Sequence, residues 1–177
     1  MTVFDSMTGS PDSVTWEDVV DWDVVDFTIF GAMLAGAAVI YTLAKRGASS
    51  TAYRLAVCVA LAAAFILIWV NGAVGIIGNE SNDANLIFFG VLAVGIIGAI
   101  IARFQPRGMA RALFATAIAQ VAVAVVALIF GLGSTAPIWP EDILMLTGFF
   151  VALWLLAAWL FRNAARQQTC TSSKPEA

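Results

Sequence analysis

Histidine is absent from the chain and charge is scarce, with nine Lys and Arg and twelve Asp and Glu among 177 residues. Without histidine the chain lacks the usual axial haem ligand, the commonest zinc or copper ligand and the side chain best suited to shuttle protons near neutral pH. No cofactor and no metal is therefore expected. Cysteine is limited to Cys58, inside an apolar run, and Cys170, near the C-terminus. Their spacing matches no metal or redox motif, and no structural disulfide is expected. The first 26 residues hold no Lys or Arg, so the basic n-region of a cleavable signal peptide is missing and the segment is expected to stay on the mature protein. A net charge of -3 and a pI near 4.7 speak against a nucleic-acid partner.

What the chain has in excess is apolar surface. Hydrophobic residues make up 61% and charged residues 12%, against roughly 45 to 50% and 25% in soluble domains. The expected class is an all-α integral membrane protein with the lipid bilayer as its first partner. A charge at the centre of a span costs about 2.5 to 3.5 kcal/mol on insertion scales, so charges collect at span ends and mark them. Asp26 and Lys45 bracket one run, Arg54 and Glu80 a second, Asp83 and Arg103 a third, and Asp142 and Arg162 the last. Another run starts at Arg111 and is stopped near residue 132 by Gly131, Gly133, Pro137 and Pro140. The runs predict five transmembrane helices, at about 27–44, 55–78, 84–102, 111–132 and 143–161. Most approach the roughly 20 residues a helix needs to cross the hydrocarbon.

Charge sets the orientation. All nine basic residues fall in the first loop, the third loop or the C-terminal tail, and eleven of the twelve acids fall on the other side, Glu176 being the exception. The positive-inside rule then places the C-terminus in the cytoplasm and the N-terminus outside. An even number of spans would scatter both signs over both faces. Residues 1–26 read as an acidic periplasmic tail, 27–162 as a five-helix membrane domain, and 163–177 as a disordered cytoplasmic tail.

Within the N-terminal tail, Thr15 and Asp18 fit the S/T-x-x-D/E start of a helix. One reading is a short interfacial helix at 15–25 with Trp16 and Trp22 anchored at headgroup depth. The other is a solvated acidic tail whose tryptophans touch the membrane.

Between their brackets the runs hold no Asp, Glu, Lys or Arg, which argues against proton-coupled transport through buried carboxylates and against voltage sensing. The deepest polar groups are Asn71 and Gln120, each nine positions from its nearest charged bracket and so roughly 13 Å below that surface. Thr116 lies one turn from Gln120 on the same face. These three residues read either as a small intramembrane polar site or as hydrogen-bonding glue between helices or subunits. Stripes of small residues, Gly31 with Ala35, Ala32 with Gly36, Asn71 with Gly75 and Gly78, and Gly95 with Gly98, Ala99 and Ala102, permit close helix packing. The string Ala-Val-Gly-Ile-Ile-Gly occurs at 73–78 and again at 93–98, a coincidence natural to so restricted an alphabet.

Two loops are richer than a connector needs. The outer one carries Glu80, Asn82, Asp83 and Asn85 and reads as an outward contact surface or as a solvated turn. The inner one carries Arg103, Arg107 and Arg111, suited to anionic lipid headgroups or to fixing topology alone. Glu80 and Asp83 have no nucleophile or base partner at a defined spacing, so no catalytic residue is assigned.

The stretch from Tyr53-Arg54-Leu55-Ala56-Val57 through Val70-Asn71-Gly72-Ala73-Val74-Gly75-Ile76-Ile77-Gly78 to Ala102-Arg103-Phe104-Gln105-Pro106-Arg107-Gly108-Met109-Ala110-Arg111-Ala112-Leu113 resembles a family of uncharacterised bacterial inner-membrane proteins. The resemblance implies a small multi-span protein of that membrane with no assigned activity, cofactor or catalytic residue. Gln105 departs from the arginine common at that position in similar sequences, which weakens it as an anion ligand. The expected function is a non-catalytic accessory, assembly or structural subunit, packing as a homo-oligomer or in a larger membrane complex. The alternative is a small oligomeric transporter or channel with Asn71 and Gln120 in its pathway.

Overall fold

An apolar run in hydrocarbon has no water to satisfy its backbone, and a helix closes every backbone hydrogen bond within itself. The computed structural model describes residues 24–46, 50–78, 82–134 and 138–172. These form five α-helices, α1 (Val24–Arg46), α2 (Thr51–Ala73), α3 (Ile87–Ile101), α4 (Pro106–Ile129) and α5 (Glu141–Ser172), with a 3-10 turn at Asp83–Leu86 leading into α3. No strand occurs among the described residues. Four stretches are long and apolar enough to cross a membrane: Thr51–Ala73, Asp83–Ile101, Pro106–Ile129 and Glu141–Thr169. In α1 the apolar stretch among the described residues is shorter, Phe27–Thr42. The interfacial helix expected at 15–25 lies outside the described residues up to residue 23, and with it Trp16 and Trp22.

The chain divides into two units, 1–36 and 37–177. In the first, the described part is the helical segment from Val24 to Gly36. In the second, α4 packs against both α3 and α5, and α5 also packs against α2. Burial in lipid gains little from the hydrophobic effect, so such helices are held by close van der Waals packing and interhelical hydrogen bonds. The sequence meets that demand with small residues. Gly98 sits so close to α4 that an added Cβ would lie 2.7 Å from the Ala112 Cβ, and one on Gly95 would lie 3.2 Å from the Thr116 hydroxyl. The Gly95 and Gly98 stripe is therefore used within the chain, to seat α3 on α4.

A series of buried positions runs along α4 through Ala110, Leu113, Ala117, Gln120, Ala124 and Ala127, beside Met109, Ala112 and Thr116, and another along α5 through Ile143, Thr147, Phe150, Trp154, Ala157, Phe161 and Ala164, beside Ala158 and Ala165. Both series step alternately by three and four residues, the spacing of a left-handed knobs-into-holes seam. The α4 series is mostly alanine and the α5 series carries larger side chains, and small residues permit the close approach of helices.

Expected boundaries shift: α4 runs from Pro106 to Ile129 where 111–132 was expected, and two further differences change the reading of the residues involved. The second run was expected to stay helical to residue 78, but α2 ends at Ala73 and residues 74–78 form a loop with Gly75 and Gly78 at φ 75° and 79°. Those angles lie in the left-handed region that glycine adopts without a Cβ penalty. Asn71, Gly75 and Gly78 thus do not form a helical stripe. The segment from 163 was expected to be a disordered tail, but α5 continues to Ser172. Residues 163–172 contain neither Gly nor Pro, and Ala164 and Ala165 are buried, so tertiary packing extends the helix beyond the apolar run.

Candidate functional site

The described charges of residues 37–177 separate to the two ends of the antiparallel helices. Arg54 opens α2, Arg103 follows α3, Arg107 and Arg111 open α4, and Arg162 and Arg166 lie near the end of α5. Asp83, Glu141 and Asp142 lie at the opposite end.

Four contacts close the basic end. The Tyr53 hydroxyl donates to the Phe104 carbonyl at 2.8 Å, and its ring packs edge-on against Phe161 with centroids 5.1 Å apart. Arg107 Nη2 donates to Thr169 Oγ1 at 2.9 Å, and Ser50 Oγ donates to Gln167 Oε1 at 2.5 Å. The α3–α4 connection is tight: Arg103 and Phe104 adopt φ 47° and 56°, and Gly108 packs on Ala102 so closely that a Cβ would meet the Ala102 Cβ at 2.6 Å. Pro106 stands at the start of α4, where its missing N–H costs nothing.

Between α4 and α5 this end opens into a groove of about 950 Å³. Arg107 and Arg111 line it from α4, Arg162 and Arg166 from α5. Each pair is four residues apart and so shares one helix face. Phe114, Leu155 and Trp159 line the part nearer the bundle's middle, with Ala110, Ala158 and Ala165 between them. Of the three arginines expected to meet anionic lipid, Arg107 and Arg111 line the groove and Arg103 does not.

The interior polar residues fall in two places. Thr116 and Gln120 share the buried face of α4, and the Thr116 hydroxyl donates to the Ala112 carbonyl at 3.0 Å. Gln120 is 0% exposed, and neither its Nε2 nor its Oε1 has a protein partner. Asn71 is buried too, but it joins the acidic end: its Nδ2 donates to the Asn85 carbonyl at 2.9 Å. No hydrogen bond links it to Gln120. Asn71 Oδ1 also lacks a protein partner, as do two buried groups on α5, the Thr147 hydroxyl and the Trp154 indole N–H. Composition does not single these out, whereas the alternating three-and-four spacing of α5 places both on its buried seam.

At the acidic end Asn85 was expected on the outward surface and is instead buried. Its Oδ1 accepts from the backbone N–H groups of Ile76 at 3.0 Å and Ile77 at 2.8 Å. Asn82 Oδ1 accepts from Ala84 N at 3.0 Å and caps the 3-10 turn. Gly133 lies against the backbone at Gly78, where a Cβ would meet the Gly78 nitrogen at 2.8 Å. Asp83 remains exposed, and Glu80 lies outside the described residues.

Among the described residues no three His, Cys, Asp or Glu side chains gather as a metal-binding group. Compared with protein-family models, with curated proteins and with solved structures, the chain matches none.

Proposed function

We propose that the chain is a non-catalytic integral membrane protein of the bacterial inner membrane, serving as an accessory, assembly or structural subunit that packs on itself or in a larger complex. It crosses the bilayer five times in this reading, with α1 as the first span, the N-terminus outside and the basic end in the cytoplasm. What supports the role most is the closed interior. Gln120, Thr116 and Asn71 are all buried, and Thr116 and Asn71 spend hydrogen bonds on the fold itself. Segregated charge supports the orientation through the positive-inside rule. The resemblance of the stretch from Tyr53 to Leu113 to bacterial inner-membrane proteins supports the location.

Purification of the full chain in native lipid, with the mass of the particle and its components measured, tests this role. A stoichiometric protein partner or a defined homo-oligomer is expected; a monomer without partners contradicts it.

One observation favours a second reading, an oligomeric transporter or channel: the Gln120 amide has no protein partner in the bundle, and a buried amide costs free energy unless it is used. Asn71→Leu combined with Gln120→Leu would sink this reading if assembly and every measured flux stayed unchanged.

A further inference from the structure

The hollow between α4 and α5 changes character along its length. At the end of the bundle its walls carry Arg107, Arg111, Arg162 and Arg166, and toward the middle they become Phe114 and Trp159. Like charges one turn apart on a helix repel, and here two such pairs share a single groove. The described carboxylates of residues 37–177 are all at the other end, so no described acid neutralises the four. The first turn of α4 also holds no acidic residue, which leaves the positive end of its dipole unopposed beside Arg107.

We propose that this groove binds one anionic phospholipid, its phosphate held among the four arginines and an acyl chain laid over Phe114, Leu155 and Trp159. Guanidinium groups match phosphate oxygens with paired, charge-assisted hydrogen bonds. Arg107 spends one N–H on Thr169 and keeps others to donate. That contact steadies its side chain at the rim. Trp159, exposed and three residues before Arg162, stands where amphipathic rings settle between headgroup and acyl chain. The groove's volume of about 950 Å³ and its apolar half both exceed what an inorganic anion would fill. A lipid supplies the charge and the apolar length together. Basic pockets between helices on the cytoplasmic side are a recurrent form of headgroup recognition.

Which leaflet supplies the lipid rests on the proposed orientation, but binding itself does not, so the test uses nanodiscs, where both leaflets are accessible. The full chain is placed in phosphatidylcholine nanodiscs doped with phosphatidylglycerol, then released and examined by native mass spectrometry for retained lipid. One phosphatidylglycerol per chain is expected in preference to phosphatidylcholine. Arg111→Gln and Arg166→Gln should each weaken retention about fivefold, and together roughly thirtyfold. Arg103→Gln removes a charge from the same end outside the groove and should leave retention unchanged. Trp159→Ser should weaken it as well, and inorganic phosphate should not displace the lipid. The proposal is overturned if Arg103→Gln matches the groove variants, if phosphatidylcholine is retained equally, or if inorganic phosphate competes, which would make the groove a free-anion site.

Discussion

Asn71 on the last turn of α2 donates to the backbone carbonyl of Asn85, fourteen residues later, and so ties the end of one membrane-capable helix to the start of the next. Asn85 completes the tie by accepting from the N–H groups of Ile76 and Ile77. Those two donors lie in the loop, beyond any intrahelical partner. Asn85→Ala leaves both buried and unpaired, which should destabilise the fold by about 2 kcal/mol or more. Asn71→Leu removes a single interhelical bond and should cost about 1 kcal/mol or less. Loss of helical signal on heating in detergent measures both; the account requires the larger loss from Asn85→Ala.

Close packing of α3 on α4 gives a second comparison. Gly98→Ala would drive a methyl to 2.7 Å from the Ala112 Cβ, whereas Gly90 and Gly148 border open space. The first change should lower stability by about 1 to 3 kcal/mol. Gly90→Ala and Gly148→Ala should be neutral or slightly stabilising, since alanine is the better helix former. The same thermal assay applies, and equal losses at Gly98 and Gly90 would contradict the packing.

Gly133→Ala should be at least as damaging as Gly98→Ala. It meets the Gly78 nitrogen at 2.8 Å and also forces a side chain onto φ 78°, a conformation costing roughly 1 kcal/mol or more outside glycine. A melting curve unchanged from the parent would show that the two loops do not meet.

Gln120 makes the opposite prediction. With no protein partner for its amide, Gln120→Leu should raise stability by about 1 kcal/mol or more, because a buried unpaired polar group is replaced by an apolar one of similar size. A stabilised chain with unchanged assembly fits the accessory role. Stabilisation with a lost flux fits the transport reading.

How far the fold is legible in the sequence is shown by the hexapeptide Ala-Val-Gly-Ile-Ile-Gly. At 93–98 it is mid-helix, with Ile96 and Ile97 at 61% and 56% exposure and both glycines turned to α4. At 73–78 it ends α2 and becomes a loop, with Ile76 and Ile77 fully buried. Identical residues take two structures because Asn85 captures the backbone donors of the copy at 73–78, and nothing within the six residues encodes that. Charges are legible because desolvation forces them to helix ends; helix ends set by tertiary hydrogen bonds are not.

The groove was half legible. Arg107 and Arg111 stand out beside Pro106 and Gly108 in a basic loop, and the loop's composition suffices to suggest an anion. Arg162 and Arg166 join them only because α5 continues past its apolar run and packs antiparallel on α4. That continuation depends on Ala164 and Ala165 being buried, a tertiary fact. Likewise Thr147 and Trp154 matter through the seam they occupy rather than through their own chemistry.

The central claim is a membrane bundle with its acidic end outside, its basic end in the cytoplasm and an odd number of crossings. Single cysteines tested in intact cells with a membrane-impermeant thiol reagent address it most directly, using the full chain with Cys58→Ala and Cys170→Ser as background. The account predicts labelling at Ser13→Cys and Ser81→Cys and none at Gln105→Cys until the cells are opened. Labelling at Gln105→Cys but not at Ser81→Cys would contradict the orientation, and a silent Ser13→Cys beside a labelled Ser81→Cys would contradict the fifth span.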